Sequence, residues 1–159
     1  MTLVEPAVFQ EILQFMADYA AALDAGEWDR WPDFFVEACT YRIQPRENFD
    51  RGLPLSTMAF ESRGMLKDRV YGIKETLFHD PYYQRHVVGI PRILRAEAGR
   101  YETESNYAVF RTKLDEYSTV YNVGRYLDVI LRTGEGLRFE SRICVFDSEM
   151  IANSIIYPI

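Results

Sequence analysis

From Tyr101 to Phe146 the sequence alternates with a period of two, and such a stretch folds as long strands of one sheet. Tyr101–Lys113 gathers Tyr101, Thr103, Ser105, Tyr107 and Val109 on one face. Ser118–Arg132 gathers Tyr121, Val123, Leu127, Val129 and Leu131. Leu137–Phe146 gathers Leu137, Phe139, Ile143 and Val145. Gly99 marks a turn and Thr133-Gly134-Glu135-Gly136 a hairpin. Such short connections make the strands antiparallel neighbours.

The first half carries another period. From Pro6 to Asp24, Val8, Ile12, Phe15, Met16, Tyr19 and Leu23 recur at spacings of three and four, which predicts an amphipathic helix. Pro6 suits its first turn and Gly26 the position past its end. A short second helix is expected over Trp28–Val36, with Trp28, Trp31, Phe34 and Phe35 as one bulky face. Cys39–Gln44 reads as a strand. Pro45–Pro54, with two prolines, a glycine and four charges, reads as an exposed loop or arm. A helix follows from about Arg63 to Leu77 and stops at Asp80-Pro81, because proline disfavours helix in the residue before it. Arg85–Leu94 reads as a strand. Helices first and long strands after give an α+β fold, one curved antiparallel sheet cupping the helices. At 159 residues, this is a single domain over 1–159.

Composition excludes several functions. Eighteen Lys and Arg against 24 Asp and Glu leave a net charge of −6. A chain so acidic lacks the basic face that nucleic acid or an anionic membrane requires. No apolar run approaches spanning length, and residues 1–14 lack the basic start of a signal peptide, so the expected compartment is the cytoplasm. Cys39 and Cys144, 105 residues apart, are then expected as buried thiols.

The two histidines, His79 and His86, and two cysteines could supply at most one Rieske cluster or one facial iron triad. Pro81 breaks any helix shared by the histidines, and a separation of seven on a strand would put them on opposite faces. HExxH, CxxC and carboxylate clusters at ligand spacing are missing, so no metal site is expected. A histidine oriented by Asp80 or Asp128 could serve as a general base, or be a hydrogen-bonded structural residue. Tyr82-Tyr83-Gln84-Arg85-His86 could line a pocket, and reads more readily as an interface patch. The Arg46-Glu47-Asn48 loop is either solvated or a docking arm. The apolar tail Ile155-Ile156-Tyr157-Pro158-Ile159 is expected to be buried.

Four blocks carry a resemblance. They are Trp31-Pro32-Asp33-Phe34-Phe35 running into Cys39-Thr40-Tyr41-Arg42; Met65-Leu66-Lys67-Asp68-Arg69-Val70; Tyr83-Gln84-Arg85-His86-Val87-Val88-Gly89; and Glu140-Ser141-Arg142-Ile143-Cys144-Val145-Phe146-Asp147-Ser148. In order and spacing they resemble the small (β) subunit of Rieske-type aromatic-ring-hydroxylating oxygenases. The segments Gln44–Asn48 and Asp147–Ile159 look most like salicylate 5-hydroxylase small subunits, with anthranilate and terephthalate dioxygenase small subunits next.

The resemblance implies a cone-like fold of the nuclear transport factor 2 and scytalone dehydratase type. It implies a structural, non-catalytic subunit with neither cofactor nor metal of its own. The partner large (α) subunit would hold the Rieske [2Fe–2S] cluster and the mononuclear non-haem iron, in an assembly of three large and three small subunits. The enzyme would use NAD(P)H and O2 to add oxygen, as a mono- or dioxygenase, to a salicylate-like aromatic carboxylate during aromatic catabolism. Contacts between subunits would then involve Arg46, Asn48, Tyr82, Tyr83, Arg85, His86 and Tyr157. The competing reading is a stand-alone cone-fold dehydratase or isomerase, with His86, Asp80, Tyr41 and Tyr83 as its catalytic set, or a small-ligand-binding protein.

Overall fold

The structure, a computed structural model, describes residues 3–150 and 155–159. Helix α1 spans Pro6–Asp24 as its periodicity predicts, and buries Ile12, Met16, Tyr19, Ala22 and Leu23. The expected second helix is a tight 3₁₀ turn, Trp28–Phe34. It ends two residues early because Phe35 is already extended (φ −117°, ψ 150°) and opens β1, Phe35–Pro45. The Pro45–Pro54 arm is not all loop, since Arg46–Asp50 forms the one-turn helix α2. A three-residue strand that the sequence reading lacks, β2 (Met58–Phe60), pairs with β1. Helix α3 (Arg63–Tyr71) starts on Ser62, whose hydroxyl accepts from the Met65 N–H. It runs into a π-helical turn, Gly72–Thr76.

The expected strand Arg85–Leu94 is two strands, β3 (Tyr82–Val88) and β4 (Arg92–Glu97). Gly89-Ile90-Pro91 separates them, and Pro91 has no N–H to give to a ladder. Both pair with β5 (Arg100–Lys113), which is followed by β6 (Thr119–Thr133) and β7 (Gly136–Phe146). The sheet order is β2-β1-β7-β6-β5-β3, with β4 also on β5. Every pairing is antiparallel except β1 with β7, which is parallel, so the curved sheet is mixed. The long crossover from β1 round to β7 is what permits a parallel pair.

The inner face of β5 holds the five residues that alternation assigns to it. On β6 the inner face is the other one: Asn122, Gly124, Tyr126, Asp128 and Ile130 point in, while Leu127, Val129 and Leu131 are half-buried on the outside. On β7 the expected set divides. Leu137 and Phe139 point inward, then Glu140 is an extra residue in the ladder, and Arg142, Cys144 and Phe146 point inward after it. A bulge of this kind flips the alternation and bends the strand. Gly124 marks a close approach at the other end of the β6–β7 pairing, because a Cβ there would lie 1.9 Å from the Val145 carbonyl oxygen.

Helix α1 and the 3₁₀ turn close over this inner face with aromatic side chains. Phe15, Tyr19, Phe34, Phe35 and Phe139 pack with ring centroids 4.7–6.3 Å apart, mostly tilted or edge-on. Trp31 lies edge-on to Tyr41 at 5.1 Å.

Candidate functional site

Two polar constellations lie on the inner face. In the first, Arg142 on β7 and Asp128 on the facing residue of β6 form a fully buried, two-pronged ion pair. Arg142 Nε donates to Asp128 Oδ1 at 2.8 Å and Nη2 to Oδ2 at 2.7 Å. The guanidinium is stacked between rings, 4.3 Å from the Tyr19 centroid, 4.0 Å from Tyr126 and 4.2 Å from Phe139. Burial works against the charge on Arg142, but the adjacent carboxylate outweighs it and pushes the guanidinium pKa up. Burial pushes the Asp128 carboxyl up, with Arg142 opposing the shift. Both oxygens of the carboxylate are thus taken by the guanidinium, and the two charges compensate each other.

The tail fills the space beside this pair. Ile159 is fully buried. Tyr41 Oη donates to the Ile159 main-chain oxygen at 2.9 Å and accepts from the Ile159 N–H at 2.9 Å. Tyr19 Oη donates to the same oxygen at 3.2 Å, and Cys144 Sγ lies 3.8 Å from it. Trp31 Nε1 donates to Tyr19 Oη at 3.1 Å. Burial pushes the Cys144 thiol up to about 12, so it is not a nucleophile. Further out, Arg69 donates to the Ile155 and Ile156 carbonyls, and the Tyr157 ring stacks on Trp28 at 4.5 Å and packs against Tyr82 at 4.4 Å.

The second constellation is at β3. His86 has a fully buried side chain, and its partner is Asp24, the last residue of α1, rather than Asp80 or Asp128. Asp24 Oδ1 lies 2.6 Å from His86 Nδ1, and the carboxylate also accepts from the His86 backbone N–H at 3.0–3.1 Å. The other ring nitrogen, Nε2, is buried without a partner. The Gln84 amide, inward on the same strand, is likewise unpartnered. Alongside runs a groove of about 530 Å³ between Met16, Ala17 and Ala20 of α1 and the β3–β4 connection.

The four residues of the stand-alone enzyme reading do not meet. Tyr41 is committed to Ile159, and His86 to Asp24. Asp80 is exposed and 3.8 Å from Lys113, and Tyr83 is 79% exposed on the outer face. Of the interface candidates, Tyr83, Arg85, Arg46 and Asn48 retain accessible surface, with Arg46 paired to Asp147 at 3.3 Å. Tyr82, His86 and Tyr157 face within the chain. Asp24 and Arg142 as site-builders escape sequence reasoning, and Asp128, a candidate partner for a histidine there, is paired with Arg142 instead. Asp24 and His86 are 62 residues apart and share no motif. A charged pair at in-register positions of an apolar hairpin was the signal available for Asp128 and Arg142.

The described residues do not fit the iron centres of such oxygenases. No three of their His, Cys, Asp and Glu side chains converge as a metal-binding group. His79 Nε2 is 2.8 Å from Tyr157 Oη, His86 belongs to Asp24, and Cys144 faces Ile159. Among the described residues no helix is long and apolar enough to cross a membrane.

Comparison with known proteins adds what the geometry leaves open. Residues 19–153 match the family described as ring hydroxylating beta subunit. The chain is 34% identical to the anthranilate 1,2-dioxygenase small subunit of Burkholderia cepacia, over 94% of this chain and 92% of that one. It is 29% identical to a terephthalate 1,2-dioxygenase terminal oxygenase beta subunit of Comamonas sp., over 94% and 97%. A crystal structure from Novosphingobium aromaticivorans, described as the beta subunit of an aromatic-ring-hydroxylating dioxygenase, superposes with a TM-score of 0.88 at 35% identity, covering 96% and 97%. The cone-type fold extends to a structure described as a scytalone dehydratase from the same organism (TM-score 0.68, 18% identity, 96% and 93% covered).

Proposed function

We infer, on the premise that this chain belongs to the ring-hydroxylating β-subunit family, that it is a scaffold of its oxygenase and performs none of the chemistry. As the small subunit of a ring-hydroxylating dioxygenase it implies a large (α) partner. The observation that carries the scaffold reading is the filled cone. Where a cone-fold enzyme needs an open cavity with converging polar groups, this chain packs Phe15, Phe34, Phe35 and Phe139, an internally neutral Arg142–Asp128 pair and its own Ile159.

In this proposal the partner supplies the Rieske cluster, the mononuclear iron and the substrate pocket. This chain holds the partners in place, in three copies with three large subunits, in the cytoplasm. The ring substrate is an aromatic carboxylate, a class supported by the names of the anthranilate and terephthalate relatives; a salicylate-like acid is the member of that class we put forward. The exposed Tyr83 and Arg85 on β3 and Arg46 on α2, with the half-buried Asn48 beside Arg46, are the contacts we assign to the subunit interface.

The test is the native mass and visible spectrum of the chain drawn from its source cells. Recovery in a much heavier, brown complex, equimolar with a larger chain, is the expected result. Recovery as a colourless small homo-oligomer would sink the proposal. Within the assembled enzyme, His86→Ala is expected to leave turnover per iron unchanged. A loss of rate at constant iron content and constant size would make His86 catalytic.

A further inference from the structure

The charge of Arg111 meets no carboxylate. Among the described residues every other arginine ion-pairs with a carboxylate or donates to a carbonyl oxygen. The Arg111 guanidinium instead lies over two phenol rings, 4.8 Å from the Tyr121 centroid and 5.8 Å from that of Tyr82. Stacking holds the fork in place and leaves its N–H edge available. Across the β3–β5 ladder Arg111 pairs with Gln84, and Lys113 with Tyr82. Directly opposed residues share a face of the sheet, so Lys113, Arg111 and Gln84 lie on one side. Gln84 is 3% exposed, and both polar atoms of its amide are without a partner. A buried amide left unpaired is costly and marks a place where a polar atom would be accommodated.

Beside Arg111 opens a cavity of about 190 Å³, lined also by Phe78, His79, Asp80, Tyr82, Lys113 and Ile156. We propose that this cavity binds a small aromatic monocarboxylate, its carboxylate on Arg111 and its ring beside Phe78 and Tyr82. A planar guanidinium fork matches the two oxygens of a carboxylate. Gln84, the neighbour of Arg111 across the ladder, is the second donor. Charge balance limits the ligand to one negative charge. Lys113 Nζ lies 3.8 Å from the Asp80 carboxylate, so those two cancel and Arg111 leaves one positive charge over. A dianion would set its second charge against Asp80. His79 is a wall rather than a ligand group, because its ring nitrogens are engaged by the Leu77 carbonyl at 3.2 Å and the Tyr157 hydroxyl at 2.8 Å. Phe78, whose ring is fully in solvent, and Tyr82 set the body of the ligand, since a ring laid between them covers apolar surface. The site is built by this chain alone and stands whether or not the chain is a scaffold.

Titration of the full chain at low salt with benzoate, benzamide and inorganic phosphate, followed by NMR, tests this. Benzoate is expected to bind at least about tenfold more tightly than either of the others. Arg111→Gln, with unchanged circular dichroism, should weaken benzoate at least about tenfold. Phe78→Ala and Gln84→Leu should each weaken it by about threefold. Asp80→Asn removes the competing carboxylate and should tighten benzoate by about threefold, a gain that misfolding cannot produce. Benzoate binding that survives Arg111→Gln would overturn the site, as would a folded, unaltered chain that binds no benzoate. Benzamide or phosphate bound as tightly as benzoate would overturn the ligand class.

Discussion

Asp128 and Asp24 are both carboxylates removed from water on the inner side of one sheet, and their surroundings differ. Asp128 meets a guanidinium in a planar two-pronged contact, with aromatic faces covering the rest of Arg142. Asp24 meets a single imidazole and a backbone N–H, at the rim of a groove, with Arg85 only 3.8 Å away and largely in solvent. The first arrangement is closed and structural. The second leaves His86 Nε2 and the Gln84 amide with unused bonding capacity. Burial of a charge by itself therefore says little about function; the unspent donors and acceptors around it say more.

Breaking the closed pair should have the largest effect. Arg142→Ala or Asp128→Ala strands the opposite charge in the core and should lower stability by about 3–5 kcal/mol in urea unfolding. Replacing both, by Met and Leu, should recover most of that loss. If the double variant is as damaged as the singles, the pair is not behaving as one unit. Asp24→Ala removes the acceptor of both His86 bonds at a site where water can enter from the groove, so the expected loss is smaller, about 1.5–3 kcal/mol. Equal losses at the two aspartates would erase the distinction drawn between them. Tyr41→Phe deletes two hydrogen bonds to Ile159 without emptying the space, and should cost about 1–2 kcal/mol in thermal or urea unfolding.

Alkali provides the mildest probe of the closed region. The Cys144 thiol is pushed up to about 12 in the folded chain, whereas an unfolded cysteine ionises near about 8.5. Between those values the unfolded state gives up a proton that the folded state keeps. The contribution of Cys144 to stability is therefore intact below about pH 8 and declines above it, by under about 1 kcal/mol at pH 9. Cys144→Ala should remove that part of the decline. Iodoacetamide at pH 8.5 should leave Cys144 unmodified by mass spectrometry in the folded chain and label it in urea.

The architecture was legible where local pattern and final environment agree. Helix α1 ends where its apolar spacing ends, at Asp24, and β5 faces the core with Tyr101 through Val109 as alternation predicts. Legibility failed at β6 and β7 for two physical reasons. On β6 the polar residues Asn122 and Asp128 are the buried ones, because Tyr107 Oη donates to Asn122 and Arg142 to Asp128. On β7 the bulge at Glu140 moves Ile143 to the opposite face from Leu137 and Phe139. Neither a hydrogen-bonded pair nor a bulge is visible in a hydropathy pattern. The Asp24–His86 contact joins the end of a helix to a strand 62 residues later, and only the folded sheet brings them together.

The parallel pairing of β1 with β7 sets a clock on the birth of this protein. Thr40 pairs with Ser141, so β1 waits through the synthesis of 101 further residues for its long partner (141 − 40). At translation speeds of about 5–20 residues per second that delay is roughly 5–20 s. Until then the edge of β1 that β7 will occupy has no partner, since the three-residue β2 pairs with the opposite edge. Closure of the sheet is thus a late event, paced by the ribosome, and a chain whose synthesis stalls in the β6–β7 hairpin would present an open strand edge to its neighbours.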